Sequence, residues 1–245
     1  MPMWYAQHKT VERNFLASLD SNSPLILKGG TALMFCYGLD RFSEDLDFDA
    51  IAHANTERYV KSFCSKHGYS YFRKKYTDTV QRLTIHYGGE KPLKIETSFR
   101  DHSLSLSDTI IKNNIRTYPI DTLAQMKMTA FMSRDRIRDL YDVSFITNNY
   151  WEELSQPIQR LYRTGFAEKG IEQFDLMCAT QDDDLIDKDS LAESFLKALD
   201  KAKIAHTTEE IRPYRSLAEE MAAARTAANR QKENDDTSMQ HNIRQ

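Results

Sequence analysis

Apolar residues recur at helical spacing over residues 8–19, at Val11, Phe15 and Leu19, and Ser-Asn-Ser-Pro then ends the pattern. The continuous apolar run Leu25-Ile26-Leu27 predicts a short buried strand. Gly29-Gly30 interrupts it, and Thr31 to Gly38 predicts a helix with Gly38 as its stop. Leu46-Asp47-Phe48-Asp49 alternates with period two, as a half-buried strand does. Residues 55–67 predict a further helix. YSYFRKKY, VQRLTIHYG and PLKIETSFR follow, rich in β-branched and aromatic residues, and predict consecutive strands. Gly88-Gly89-Glu90-Lys91 suits a hairpin turn between the last two, and Pro92 suits a strand start. Beyond Pro119 the pattern is helical to about residue 230, with the acidic stretch QDDDLIDKD (181–189) as a loop leading into a helix. The last segment, QKENDDTSMQHNIRQ (231–245), is polar throughout and predicts a flexible tail. The fold class is therefore α/β. An N-terminal α/β unit (1–120) precedes a mainly helical C-terminal half (121–230).

Composition narrows the setting. At 245 residues the chain can bury a substantial core, and its formal charge of −3 carries no global nucleic-acid signature. Cys36, Cys64 and Cys178 are sparse, odd in number and without metal-ligand spacing, which points to a reducing compartment. The N-terminus lacks the basic-then-apolar pattern of a secretory signal, and no apolar run approaches the roughly 20 residues of a membrane helix. The expectation is a cytoplasmic protein with no membrane segment.

Local bias is sharper than the global charge. From Arg58 to Tyr76 there are six Lys/Arg residues and no acid, interleaved with Tyr59, Phe63, Tyr69, Tyr71, Phe72 and Tyr76. Such a segment can track a nucleic-acid backbone through Arg73, Lys74 and Lys75, or can divide into core aromatics and solvated lysines.

Candidate chemistry concentrates in KGGTALMFCYGLDRFSEDLDFD (28–49). A strand that ends in Gly29-Gly30-Thr31 and opens a helix aims backbone N–H groups and the positive end of a helix dipole at one point, which suits a phosphate. The same three residues also serve as a tight strand-to-helix turn with Thr31 as a cap. No Walker A motif occurs. Asp45 and Asp47, two apart on a strand, share one face, while Leu46 and Phe48 anchor the other face in the core. Two carboxylates so close repel unless a cation lies between them, and hard oxygen ligands suit Mg²⁺. Glu96 in PLKIETSFR is the candidate third acid if its strand lies beside that of Asp45 and Asp47; Asp49 and Glu44 rank below it. In DTLAQMKMTAFMSRDRIRDLYDVSFI (121–146), read as one helix, Lys127, Arg134 and Arg138 fall within about 20° of one line with Asp142 beside them. Met126, Ala130, Ile137 and Leu140 form the adjacent core-facing sector. The cationic stripe is either solvated surface or a phosphate clamp.

Taken in order, LKGGTALMFCYGLDRFSEDLDFD, KIETS and the K…RDLYDV helix resemble the AbiEii/AbiGii-type nucleotidyltransferase toxins of type IV toxin–antitoxin systems, within the DNA polymerase β-like superfamily. The resemblance spans about residues 25 to 146. It implies a nucleotidyltransferase fold with a small mixed sheet, and metal at Asp45 and Asp47 in the form of two Mg²⁺ ions, with Glu96 as the candidate third ligand. It also implies a nucleoside triphosphate, GTP being plausible, near Gly29, Gly30 and Thr31, with functional roles for Lys127, Arg138 and Asp142. The reaction implied is nucleotide transfer to an acceptor, RNA such as tRNA, by a protein that a cognate antitoxin neutralises. Two other readings use the same residues: a metal-dependent phosphoesterase or nuclease, and a non-catalytic nucleotide-binding module.

Overall fold

The computed structural model describes residues 4–205 except 21, 52–53 and 102. The tail expected at 231–245, and the helical stretch expected beyond residue 205, lie outside the described residues.

The predicted helix at the N-terminus is α1 (Trp4–Ala17), and it starts four residues earlier than its apolar spacing suggests. β1 (Leu25–Lys28) leads directly into α2 (Gly29–Tyr37), which ends on Gly38 in the left-handed conformation at φ 78°. β2 (Asp45–Ala50), α3 (Thr56–His67) and the meander β3 (Ser70–Tyr76), β4 (Val80–His86) and β5 (Leu93–Ser98) follow as expected. A second hairpin, β6 (Ile110–Lys112) and β7 (Ile115–Thr117), was not foreseen. Its two-residue connection Asn113-Asn114 has both φ values positive, at 53° and 61°, as a tight hairpin turn requires.

These strands form one mixed sheet in the order β3-β4-β5-β2-β1-β7-β6. β2 lies antiparallel to β1 and parallel to β5, so the strand carrying Asp45 and Asp47 is central and pinned on both sides. α1 and α3 cover one face. Phe15 of α1 meets Phe48 of β2 and Phe63 of α3 with ring centroids 6.4 and 5.3 Å apart. Leu46, Phe48, Leu83, Ile85 and Ile95 all point to that side and are buried.

The helical half differs from expectation in one respect. Residues 121–146 are not one helix: α4 (Ile120–Ser133) and α5 (Ile137–Tyr150) are separated by Arg134-Asp135-Arg136. Arg134 is fully extended, at φ −152° and ψ 152°. The Ser-Arg-Asp-Arg segment has no apolar residue that would hold a continuing turn against the core. Gln181 stabilises the break instead, accepting from the Ile137 N–H (3.0 Å) and donating to the Asp135 carbonyl (2.8 Å). A single helical wheel across the break therefore fails. Met126, expected in the core, is exposed, while Leu123 and Met128 are buried. α6 (Gln156–Thr180) and α7 (Lys188–Ala202) complete the layer. α6 comes close to α4 at Gly165, where a Cβ would meet the Met128 sulfur at 2.3 Å. Phe174 and Phe195 stack between α6 and α7, 5.0 Å apart.

Candidate active site

The register of the sheet assembles the three sequence-selected acids. Asp47 lies opposite Lys28 on β1 and opposite Glu96 on β5, and Asp45 lies opposite Lys94. All point to the face that α1 and α3 leave uncovered, because their strand neighbours Leu46, Phe48 and Ile95 point into the core. Glu96 is turned toward β4, where Arg82 Nε donates to it at 2.5 Å. Lys94 Nζ is 3.5 Å from Asp45. Among the described residues Asp47 has no such partner. Burial raises its pKa above the usual carboxylate value; Asp45 and Glu96 raise it further, and Lys28 and Lys127 only partly offset them. This carboxylate is short of positive charge. Among the described residues no three His, Cys, Asp or Glu side chains form a ready-made metal cluster. The donor set suited to a hard cation is thus the pair Asp45 and Asp47, with Glu96 beside them but held by Arg82.

The lower-ranked acids are each neutralised. Asp49 accepts from Lys28 (2.5 Å) and from the Tyr118 hydroxyl (2.9 Å). Glu44 pairs with Lys91 at 2.6 Å and lies 3.5 Å from Arg138.

The Gly-Gly turn sits directly against this pair. Gly29 has φ +74°, and a Cβ there would lie 3.2 Å from Asp47 Oδ2, so glycine serves both the backbone and the approach of the acid. Gly30 makes room for protein as well as ligand: a Cβ there would meet Arg41 Nη2 and Ser43 Oγ, each at 2.8 Å. Thr31 departs from the cap reading. It is no helix cap, and its buried hydroxyl donates to the Asp45 carbonyl (2.5 Å) beside Ser43 Oγ, tying α2 to the first residue of β2. From the opposite side His8 of α1 steadies the same segment: Nε2 donates to the Glu44 carbonyl at 2.9 Å, and Nδ1 meets the Tyr87 hydroxyl at 2.6 Å.

α4 and α5 bring a second cluster. Asp142 is 0 % exposed; Arg41 binds it with Nε on Oδ1 and Nη2 on Oδ2, both at 2.7 Å, and Lys127 Nζ lies 2.6 Å from the same Oδ2. Burial alone would raise the Asp142 pKa, but Lys127 and Arg41 outweigh it and hold the carboxyl below its usual value. Lys127 and Asp142, both selected from sequence, therefore meet, although not along one helical stripe. Arg138 is directed away to Asp183 in the loop after α6, at 2.5 Å, and Arg134 to Asp139, at 2.6 Å. Sequence reasoning did not select Arg41. Its partner is 101 residues distant, and no local spacing announces such a pair.

A groove of about 280 Å³ opens on the other side of the carboxylates, lined by Asp45, Asp47, Glu96, Lys94, Arg82, Thr84 and Lys74. The carboxylates thus stand between a glycine turn with buried cations and an open basic groove.

Fold and site together define a nucleotidyltransferase. More narrowly, the chain belongs to the AbiEii family: "Nucleotidyl transferase AbiEii toxin, Type IV TA system" matches residues 14–235. A nucleotide substrate and a cognate antitoxin go with that family in general. Among solved structures the chain is similar to JHP933 from Helicobacter pylori, at 24 % identity over 93 % of this chain and 99 % of that one, with a TM-score of 0.70. It is also similar to MenT4, a nucleotidyltransferase toxin from Mycobacterium tuberculosis H37Rv, at 16 % identity over 84 % and 86 % of the two chains, with a TM-score of 0.50. At these identities the likeness is one of fold. No curated protein matches the chain. Among the described residues no helix is long and apolar enough to cross a membrane.

Proposed function

We propose that the protein transfers a nucleoside monophosphate from a nucleoside triphosphate to an RNA acceptor such as tRNA, in a Mg²⁺-dependent reaction, with GTP as the first donor to test. The observation that carries this reading is Asp47, a half-buried and undercompensated carboxylate flanked by Asp45 and pressed against the N-terminus of α2. Asp45 and Asp47 would hold the metal, two ions in the family's manner, with Glu96 as third ligand once released from Arg82. When bound, Mg²⁺ supplies charge neutralisation on the triphosphate oxygens and makes the acceptor hydroxyl a better nucleophile.

The remaining chemistry belongs to the chain. The free N–H groups at the start of α2 receive phosphate oxygens, and Gly29 permits their approach. Lys127, 12 % exposed at its side chain, offsets charge that develops on the leaving pyrophosphate. The acceptor oxygen forms its bond to the α-phosphorus in line with the breaking α–β bridge, pyrophosphate departs, and the hydroxyl proton goes to solvent. The test is incubation with each α-labelled nucleoside triphosphate, Mg²⁺ and total RNA. Label in RNA is expected. Release of labelled mononucleotide with no labelled acceptor would replace this reading by hydrolysis.

A further inference from the structure

The uncovered face of β5, β4 and β3 continues outward from the carboxylates. Across it the register aligns Lys94 and Glu96, then Arg82 and Thr84, with Phe72 opposite Thr84 on the edge strand. Phe72 is 54 % exposed, and its ring meets the His86 ring edge-on at 5.0 Å, so two aromatic side chains lie open on this face. β3 is irregular between Arg73 and Lys75, leaving Lys74 as an extra residue without a partner opposite. The irregularity divides the basic triplet. Arg73 turns to Glu57 of α3, at 2.6 Å, and covers the Tyr76 ring, whereas Lys74 lines the groove and forms no ion pair among the described residues. Thr84, also in the groove and only 6 % exposed, has a hydroxyl without a hydrogen-bond partner.

We infer that this face is the acceptor subsite, and that it takes the 3′ end of a single-stranded polynucleotide with a base next to the terminal nucleotide stacked on Phe72 and His86. The inference rests on the transfer reaction proposed above and adds to it a direction of entry. The triphosphate side, with α2 and Lys127, is occupied by donor, so the acceptor reaches the carboxylates over β4 and β3. The occupant follows from chemistry. A ring platform suits a base of any identity, and the cations Lys74, Arg82 and Lys94 follow a phosphate backbone. Arg82 and Lys94 are partly engaged by Glu96 and Asp45, which leaves Lys74 as the cation free to meet a phosphate. The Thr84 hydroxyl supplies a hydrogen bond that the protein itself leaves unmade. Arg73 has no part in the site.

The test uses the full chain and an eight-nucleotide single-stranded RNA with a free 3′-hydroxyl and 2-aminopurine next to the terminal position, without triphosphate. Binding is read by anisotropy and stacking by quenching of the 2-aminopurine. Phe72→Leu should weaken binding roughly 5- to 150-fold and abolish the quench, and Phe72→Trp should preserve both. Lys74→Gln should flatten the log–log salt dependence by about 0.7, while Arg73→Gln leaves it unchanged. Thr84→Val should weaken binding without lowering the thermal midpoint. Absence of binding, or binding with no quench, or a quench indifferent to Phe72→Leu, overturns the subsite. The reading of transfer is judged separately: labelled RNA from a protein whose Phe72→Leu variant binds normally keeps the reaction and discards the subsite. Binding and quenching by a protein that labels no RNA keeps the subsite and discards the reaction.

Discussion

Asp142 is fully buried and Asp47 half-buried, and their surroundings differ in sign. Asp142, in the helical half, is enclosed by Arg41 and Lys127, and its pKa is depressed. Asp47, on the sheet, faces two further acids, and its pKa is raised. In the first arrangement the carboxylate is satisfied within the protein and fixes two cations in place, with one positive charge in excess. The second is unfinished and is completed only by something that binds. Glu12 on α1 offers a third solution. It is 0 % exposed, neither of its carboxyl oxygens has a hydrogen-bond partner, and burial raises its pKa to about 9 with Asp45 adding to the effect. Burial favours its protonated form, where cations hold Asp142 ionised.

The contrast is open to direct test. Asp142→Asn should be the most damaging, because it leaves Arg41 and Lys127 without their carboxylate; a loss of about 3–5 kcal/mol in urea unfolding is expected. A loss below about 1 kcal/mol would show that the cluster is solvated and its charges independent. Asp47→Asn should lower transfer by roughly 10²–10³-fold while the thermal midpoint holds or rises, since it relieves repulsion rather than breaking a pair. Parallel loss of activity and stability would erase the distinction between the two aspartates. For Glu12, a folded pKa near 9 against 4.5 unfolded means that the native state holds one more proton between those values, so its contribution to stability falls as pH rises. The slope is at most about 1.4 kcal/mol per pH unit up to pH about 9, and Glu12→Gln should remove it; an unchanged pH–stability curve would place an ionised Glu12 in the core. The smallest effect is expected of Glu96→Gln, whose half-exposed ion pair with Arg82 should make its stability change less than about 1 kcal/mol. Its turnover should fall less than that of Asp47→Asn, and an equal fall would make Glu96 a full partner of the pair.

The legibility of these features in the sequence follows their range. Asp45, Asp47 and Glu96 were readable because period-two alternation with Leu46, Phe48 and Ile95 fixes a face, and the register places Glu96 opposite Asp47. The β6–β7 hairpin carried a signal in Asn113-Asn114, but strands of three residues gave too little alternation to reveal it. The break after Ser133 depends on the Gln181 side chain, more than forty positions on, and periodicity alone ran through it. The wheel set Asp142 beside Lys127, Arg134 and Arg138 on one helix; the structure keeps only Lys127 with it, across two helices. Arg41 and Thr31 show the limit most plainly. One is defined by a distant partner and the other by a carbonyl acceptor, and neither leaves a trace in spacing.

The contact between Arg41 and Asp142 also sets a schedule. Its two ends are 101 residues apart, and at about 5–20 residues per second a ribosome needs roughly 5–20 s to pass from one to the other. By the later part of that interval the nascent chain contains the glycine turn, both sheet aspartates and Glu96, but the carboxylate that fixes Arg41 beside Gly30 has not been made. Any chain that stops before residue 142 therefore lacks the carboxylate that holds Arg41 against the start of α2.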